Sequence, residues 1–137
     1  MIYLGILLVK MRMTKMNGMS KINFEDLYET QTMFQEEVKK AAPYEFEVGT
    51  LPEDNIKGFS FHMQQLMSEI GEVLAADKRW KNYRNSKFDK NNKLEELADC
   101  FIVLMNVCIF SGFTAQELIS AIVRKVHKNA ERIKNLK

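Results

Sequence analysis

The chain has 137 residues, 46% of them hydrophobic and 28% charged, which suits a single domain with a real core. A formal net charge of +2 is too small to argue for a nucleic-acid or membrane-surface binder. Cys100 and Cys108 both lie in an apolar stretch and read as reduced, buried thiols of a cytoplasmic protein, with no disulfide framework and no zinc-site spacing.

In chain order, residues 1–19 come first. Met1 to Val9 is apolar and is followed, not preceded, by Lys10, Arg12 and Lys15, the reverse of a signal peptide. At about 1.5 Å per residue the run spans roughly 13 Å, short of a bilayer core. This leader is expected to be a poorly packed extension or a misassigned start, in preference to an extra strand or a membrane-touching anchor. The domain is expected to occupy residues 20–137.

From Asn23 onward the apolar period is helical. Asn23 can cap a first helix with the stripe Phe24, Leu27, Tyr28, Gln31, Phe34 and Val38, which stops before Pro43. A loop carrying Gly49 and Pro52 leads to Asp54, a cap for a second helix reaching about Ala76. A polar segment, Asp77 to Asn92, precedes a third helix from about Lys93 to Ser111, ended by Gly112. Thr114 and Glu117 form a capping-box pattern for a fourth helix to about Lys134. With no strand pattern and no repeat, the predicted class is all-α, a helix bundle.

The chemistry-bearing residues sit on the second and third helices. At about 100° per residue, Glu69 and Glu72 lie roughly 60° apart, sharing a stripe with His62 and Gln65 at the margin of an apolar arc. The third helix reads LADCFIVLMNVCIF from Leu97 to Phe110. That pattern predicts burial on every side, with Asp99 and Asn106 as its strongly polar interruptions. A buried carboxylate needs compensation, and no Lys or Arg lies three or four residues from Glu69, Glu72 or Asp99; Glu96 has only Lys93. Glu-x-x-Glu alone is usually a solvated face, whereas Glu-x-x-Asp inside an apolar helix is more telling, because solvent is not its partner. Together, Glu69, Glu72, Glu96 and Asp99 suit a hard divalent cation, Mg²⁺ above others. The Glu-x-x-His pattern of di-iron bundles is absent.

On the fourth helix Lys125, Asn129 and Arg132 fall within about 60° of arc at the predicted core edge. A Lys and an Arg there can hold a phosphate chain, although a basic helix C-terminus answering the macrodipole accounts for them equally. The segment after the second helix, DKRWKNYR, interleaves the only tryptophan, Trp80, with cations. Such a segment can stack a base, or it can be a solvated connection whose Trp packs on the core.

The successive segments SEIGEVLAADKRWKNYR, KLEELADCFIVLMN and KVHKNAER resemble the MazG-like and dimeric dUTPase-like superfamily of all-α NTP pyrophosphatases, over about residues 55 to 135. The resemblance implies a four-helix-bundle-type fold completed by a homodimer or homotetramer. It implies Mg²⁺, with Mn²⁺ as a substitute, held by Glu69, Glu72, Glu96 and Asp99. Lys125, Asn129 and Arg132 would contact phosphates, Trp80 and Lys81 match a Trp-Lys element, and Asn106 would face the nucleotide. The implied reaction hydrolyses a (d)NTP to a (d)NMP and pyrophosphate, with Glu69 activating water and the base left open among dUTP, dCTP and broad house-cleaning preferences. No nucleic-acid or membrane partner is implied. Two other readings stand beside it: a non-catalytic helical interaction module with buried carboxylate–Lys/Arg contacts, and a nucleic-acid binder using residues 78 to 87.

Overall fold

The computed structural model describes residues 2–18, 21–41, 55–83 and 85–136. Five α-helices run through them: α1 (Ile2–Asn17), α2 (Phe24–Ala41), α3 (Ile56–Ala76), α4 (Lys90–Phe110) and α5 (Ala115–Lys134), with a 3₁₀ turn at Lys78–Trp80. No strand occurs among the described residues, and the chain is all-α. Nor is any single helix there long and apolar enough to cross a membrane.

Local chemistry sets the helix ends. Asn23 Oδ1 accepts from the Asp26 amide at 2.8 Å, the cap read from the sequence. Asn55 caps α3 by accepting from the Gly58 amide. The Asp54 cap, the loop with Pro43, Gly49 and Pro52, and the domain start at Ser20 lie outside the described residues. α4 begins at Lys90, about one turn earlier than Lys93, because Asp89 accepts from the amides of both Asn91 and Asn92. Gly112, with φ of 80°, takes the left-handed turn that ends α4, a conformation other residues adopt only with strain. Thr114 and Glu117 form the reciprocal capping box of α5.

The segment read as a leader forms α1 and lies antiparallel to α2. Arg12 donates to Glu29 at 2.9 Å and to Asp26 at 3.5 Å, while Val9 and Met16 are buried. α3 and α4 also pair antiparallel: Asn55 N–H donates to Phe110 O at one end, and Lys93 Nζ donates to Asp77 at the other. α2 lies across this pair, with Tyr28 Oη donating to Phe113 O at 2.7 Å. Tyr28, Met105, Ile109, Phe110 and Ala115 form the core there, with Cys108 and Leu118 packed against it.

Here the structure corrects an expectation. The stretch from Leu97 to Phe110 is expected to be buried on every side, and Met105, Asn106, Val107, Ile109 and Phe110 are buried, yet Leu97, Phe101, Ile102 and Leu104 are exposed. Cover is concentrated on the C-terminal half of α4, where Val103, Met105, Asn106, Val107, Ile109 and Phe110 are buried, and is thin on its N-terminal half. Among the described residues, the N-terminal half of α4 therefore carries apolar side chains that no other helix covers.

Candidate metal-binding and nucleotide-binding site

The antiparallel pairing of α3 with α4 decides which carboxylates meet. One oxygen each from Glu69, Glu96 and Asp99 lie within 4.8 Å of one another. Glu69 and Glu96 are half-buried and Asp99 is exposed, so Asp99 is not the enclosed group its apolar surroundings in the sequence predict. The reason is the uncovered face of α4. Glu72, one turn along α3, is exposed and outside this close group, but its charge reaches Glu96. Burial, followed by the charges of Glu72, Asp99, Glu69 and Glu95, pushes the Glu96 carboxyl above its ordinary range. The neighbouring Cys100 thiol is pushed up by burial and by Glu69, Asp99 and Glu96. No ion pair among the described residues includes any of the four carboxylates.

Glu69 and Asp99 stand at one side of a cavity of about 280 Å³ between α2, α3 and α4. Its wall is rich in neutral polar groups. Asn106, 4% exposed, accepts from Gln31 Nε2 at 2.8 Å. His62 Nδ1 lies 3.2 Å from Gln65 Oε1, and its ring packs 4.6 Å from Phe110. Burial pushes the His62 imidazole below its ordinary pKa, outweighing the Gln65 hydrogen bond, and so favours the neutral ring. Phe34 and Phe61, both partly exposed, add flat apolar surface. A larger cavity of about 410 Å³ lies near α1 and the α4–α5 turn. Its basic side chain, Arg12, is already paired with Glu29 and Asp26, and none of the four carboxylates lines it. Two others, of about 560 Å³ beside α1 and about 460 Å³ along α5, are likewise lined by none of the four, so the smaller cavity is the stronger candidate site.

The remaining predicted residues are dispersed in the single chain. Lys125, Asn129 and Arg132 are exposed on α5, not at a core edge. α5 packs on α2 near its start and turns 111° away from α4, leaving its second half uncovered. Trp80 is 59% exposed, with its indole N–H donating to Leu74 O at 3.2 Å. Lys81 Nζ sits 5.2 Å from the Trp80 ring centroid.

Gln31, one of the α2 stripe, and Gln35, which the stripe does not include, both line the cavity. A glutamine pair on an otherwise apolar face was the available signal. The Asp77–Arg79–Lys93 cluster had none, since Asp77 and Lys93 meet only through the α3–α4 pairing.

Comparison of the chain with known protein families, curated proteins and solved structures gives no match.

Proposed function

We propose that this chain is a Mg²⁺-dependent nucleoside triphosphate pyrophosphohydrolase of MazG-like, dimeric dUTPase-like character. The observation that carries the reading is the convergence of Glu69, Glu96 and Asp99 from two helices beside a cavity lined by amides, a neutral imidazole and aromatic rings. The donor set is all carboxylate oxygen, which fits a hard divalent cation. Glu69, Glu96 and Asp99 would hold it, with Glu72 close enough to join. Bound there, Mg²⁺ would neutralise triphosphate charge.

In this reading the base occupies the cavity, where Gln31, Asn106 and Gln35 offer hydrogen-bonding groups and Phe34 and Phe61 offer stacking surface. Water attacks the α-phosphorus, Glu69 accepts its proton, and the bond to the bridging oxygen breaks to release pyrophosphate. Lys125, Asn129 and Arg132 orient the phosphates from α5 of a second chain. The case for a second copy is the exposed stripe Leu94, Leu97, Phe101 and Leu104 on α4, spaced as the heptad seam of paired helices.

The deciding experiment is a panel of nucleoside triphosphates with Mg²⁺, resolving monophosphate from pyrophosphate. Glu96→Gln and Asp99→Asn should abolish turnover with the helices intact, and Glu72→Gln should be the milder change. Full turnover in the Glu96 and Asp99 variants sinks the assignment. The exposed apolar stripes also favour a second reading, a non-catalytic interaction module. It predicts no consumption of any triphosphate and no Mg²⁺-dependent gain in thermal stability.

A further inference from the structure

Lys93 is the cation placed nearest the acidic cluster along the chain, three residues before Glu96. At that spacing Lys and Glu are neighbours on a helix surface and can pair. Instead, Lys93 Nζ donates to Asp77 Oδ2 at 2.7 Å. Asp77 is itself fixed. Its backbone N–H closes α3 on Val73 O, and Arg79 grips both carboxylate oxygens, Nε to Oδ1 at 2.8 Å and Nη2 to Oδ2 at 2.7 Å. The Arg79 guanidinium is stacked 3.4 Å from the Phe88 ring centroid, so the clamp has an aromatic backing. The Asp77 side chain is 11% exposed.

A flexible lysine beside Glu69, Glu72, Glu96 and Asp99 is drawn to four negative charges. A rigid, preformed carboxylate competes with that pull, helped by the Phe88 ring 5.5 Å from the Lys93 ammonium. A lysine ammonium resting on Glu96 would act as a built-in counterion and oppose entry of any other cation.

We propose that Asp77 is a positioning residue that withholds Lys93 from Glu96 and so keeps the carboxylate cluster open to a divalent cation. Its functional consequence rests on the cation-binding reading of Glu69, Glu96 and Asp99; the withholding itself does not.

The test uses the full chain and Mn²⁺ as the probe, with binding followed by calorimetry or electron paramagnetic resonance. Asp77→Asn retains a capping side chain while removing the charge, and Asp77→Ser serves where the Asn variant is unstable. The Asp77 variant should weaken Mn²⁺ binding by about fivefold. Lys93→Gln alone should leave it near the parent value, and Asp77→Asn with Lys93→Gln should restore it. A crystal structure of metal-free Asp77→Asn should place Lys93 Nζ within about 4 Å of the Glu96 carboxylate. A double variant as weak as Asp77→Asn, or an Asp77 variant binding like the parent, overturns the proposal. So does a Lys93 that stays away from Glu96 in the variant structure. If the parent takes up no Mn²⁺, the cation-binding reading fails, and the variant structure still decides where Lys93 goes.

Discussion

Gln31 on α2 and Asn106 on α4 are joined by a hydrogen bond of 2.8 Å between residues 75 apart in the chain. Asn106 is the strongly polar side chain on the buried face of α4. With its oxygen held by Gln31, its amide nitrogen remains as a donor at the cavity wall. One bond therefore links α2 to α4 and contributes polar groups to the wall of the cavity between them.

Asn106→Ala removes this acceptor and strands the half-buried Gln31 amide. The expected loss is about 1–3 kcal/mol of unfolding free energy, read from urea midpoints. Gln31→Ala combined with it should cost less than the two separate losses added together. Strict additivity would show that the two amides are not coupled.

How much was legible follows from the kind of interaction involved. The caps at Asn23 and Thr114 and the stop at Gly112 are local, and their residues name them. That Glu69, Glu96 and Asp99 fall on helix faces that can meet is legible because helical spacing is a property of short segments, whereas their meeting within 4.8 Å depends on the pairing of α3 with α4. The Gln31–Asn106 bond and the Asp77–Lys93 pair are not legible, because each depends on how two helices are docked. The expected burial of Asp99 fails for a related reason: an apolar helix pattern does not say which of its faces the neighbouring helices will cover, and the face with Asp99 is left exposed.

Gly58 and Gly71 lie on the same helix and should respond to alanine with opposite sign. A Cβ at Gly58 would run into the ring of Phe110, which is 1% exposed and backed by His62. Overpacking there costs about 1–3 kcal/mol, more than the gain in helix propensity of up to about 1 kcal/mol. At Gly71 nothing lies within 4 Å of the added carbon, so propensity acts alone and Gly71→Ala should stabilise. Urea denaturation of both variants checks the pair, and a stabilised Gly58→Ala would mean that Phe110 has room to move.

His62 supplies a pH dependence. Its folded-state pKa is lowered from the ordinary 6.5, chiefly by burial, so near that value the unfolded chain binds the extra proton more readily than the folded one. Stability should therefore fall as pH drops through about 6.5 and keep falling until the folded-state imidazole is protonated. His62→Phe removes the proton while keeping an aromatic ring against Phe110. Its loss of stability between about pH 7.5 and pH 5.5 should be smaller than that of the parent. Equal losses would assign the acid sensitivity to other groups.

The exposed seam of α4 gives the last prediction. Leu94, Leu97, Phe101 and Leu104 recur at alternating spacings of three and four, and Leu94 and Phe101 are 64% and 68% exposed. Large apolar side chains in an unbroken helical row are uncommon on a surface that stays wet. Burying the rest of Leu94 and Phe101 would contribute up to about 1.5–3 kcal/mol each, and the partly covered Leu97 and Leu104 less, before association costs. The 16.0 kDa chain should therefore have the mass of a dimer or tetramer by light scattering. Phe101→Asp places a charge in the middle of the row and should shift the mass toward a single chain. If the second chain's α5 supplies Lys125 and Arg132 to the carboxylates, that shift should be accompanied by loss of triphosphate hydrolysis, while Mn²⁺ binding at Glu69, Glu96 and Asp99 is largely retained. A monomeric parent, or a Phe101→Asp variant with unchanged mass, removes the basis for a shared site and leaves the α5 cations without a phosphate to meet.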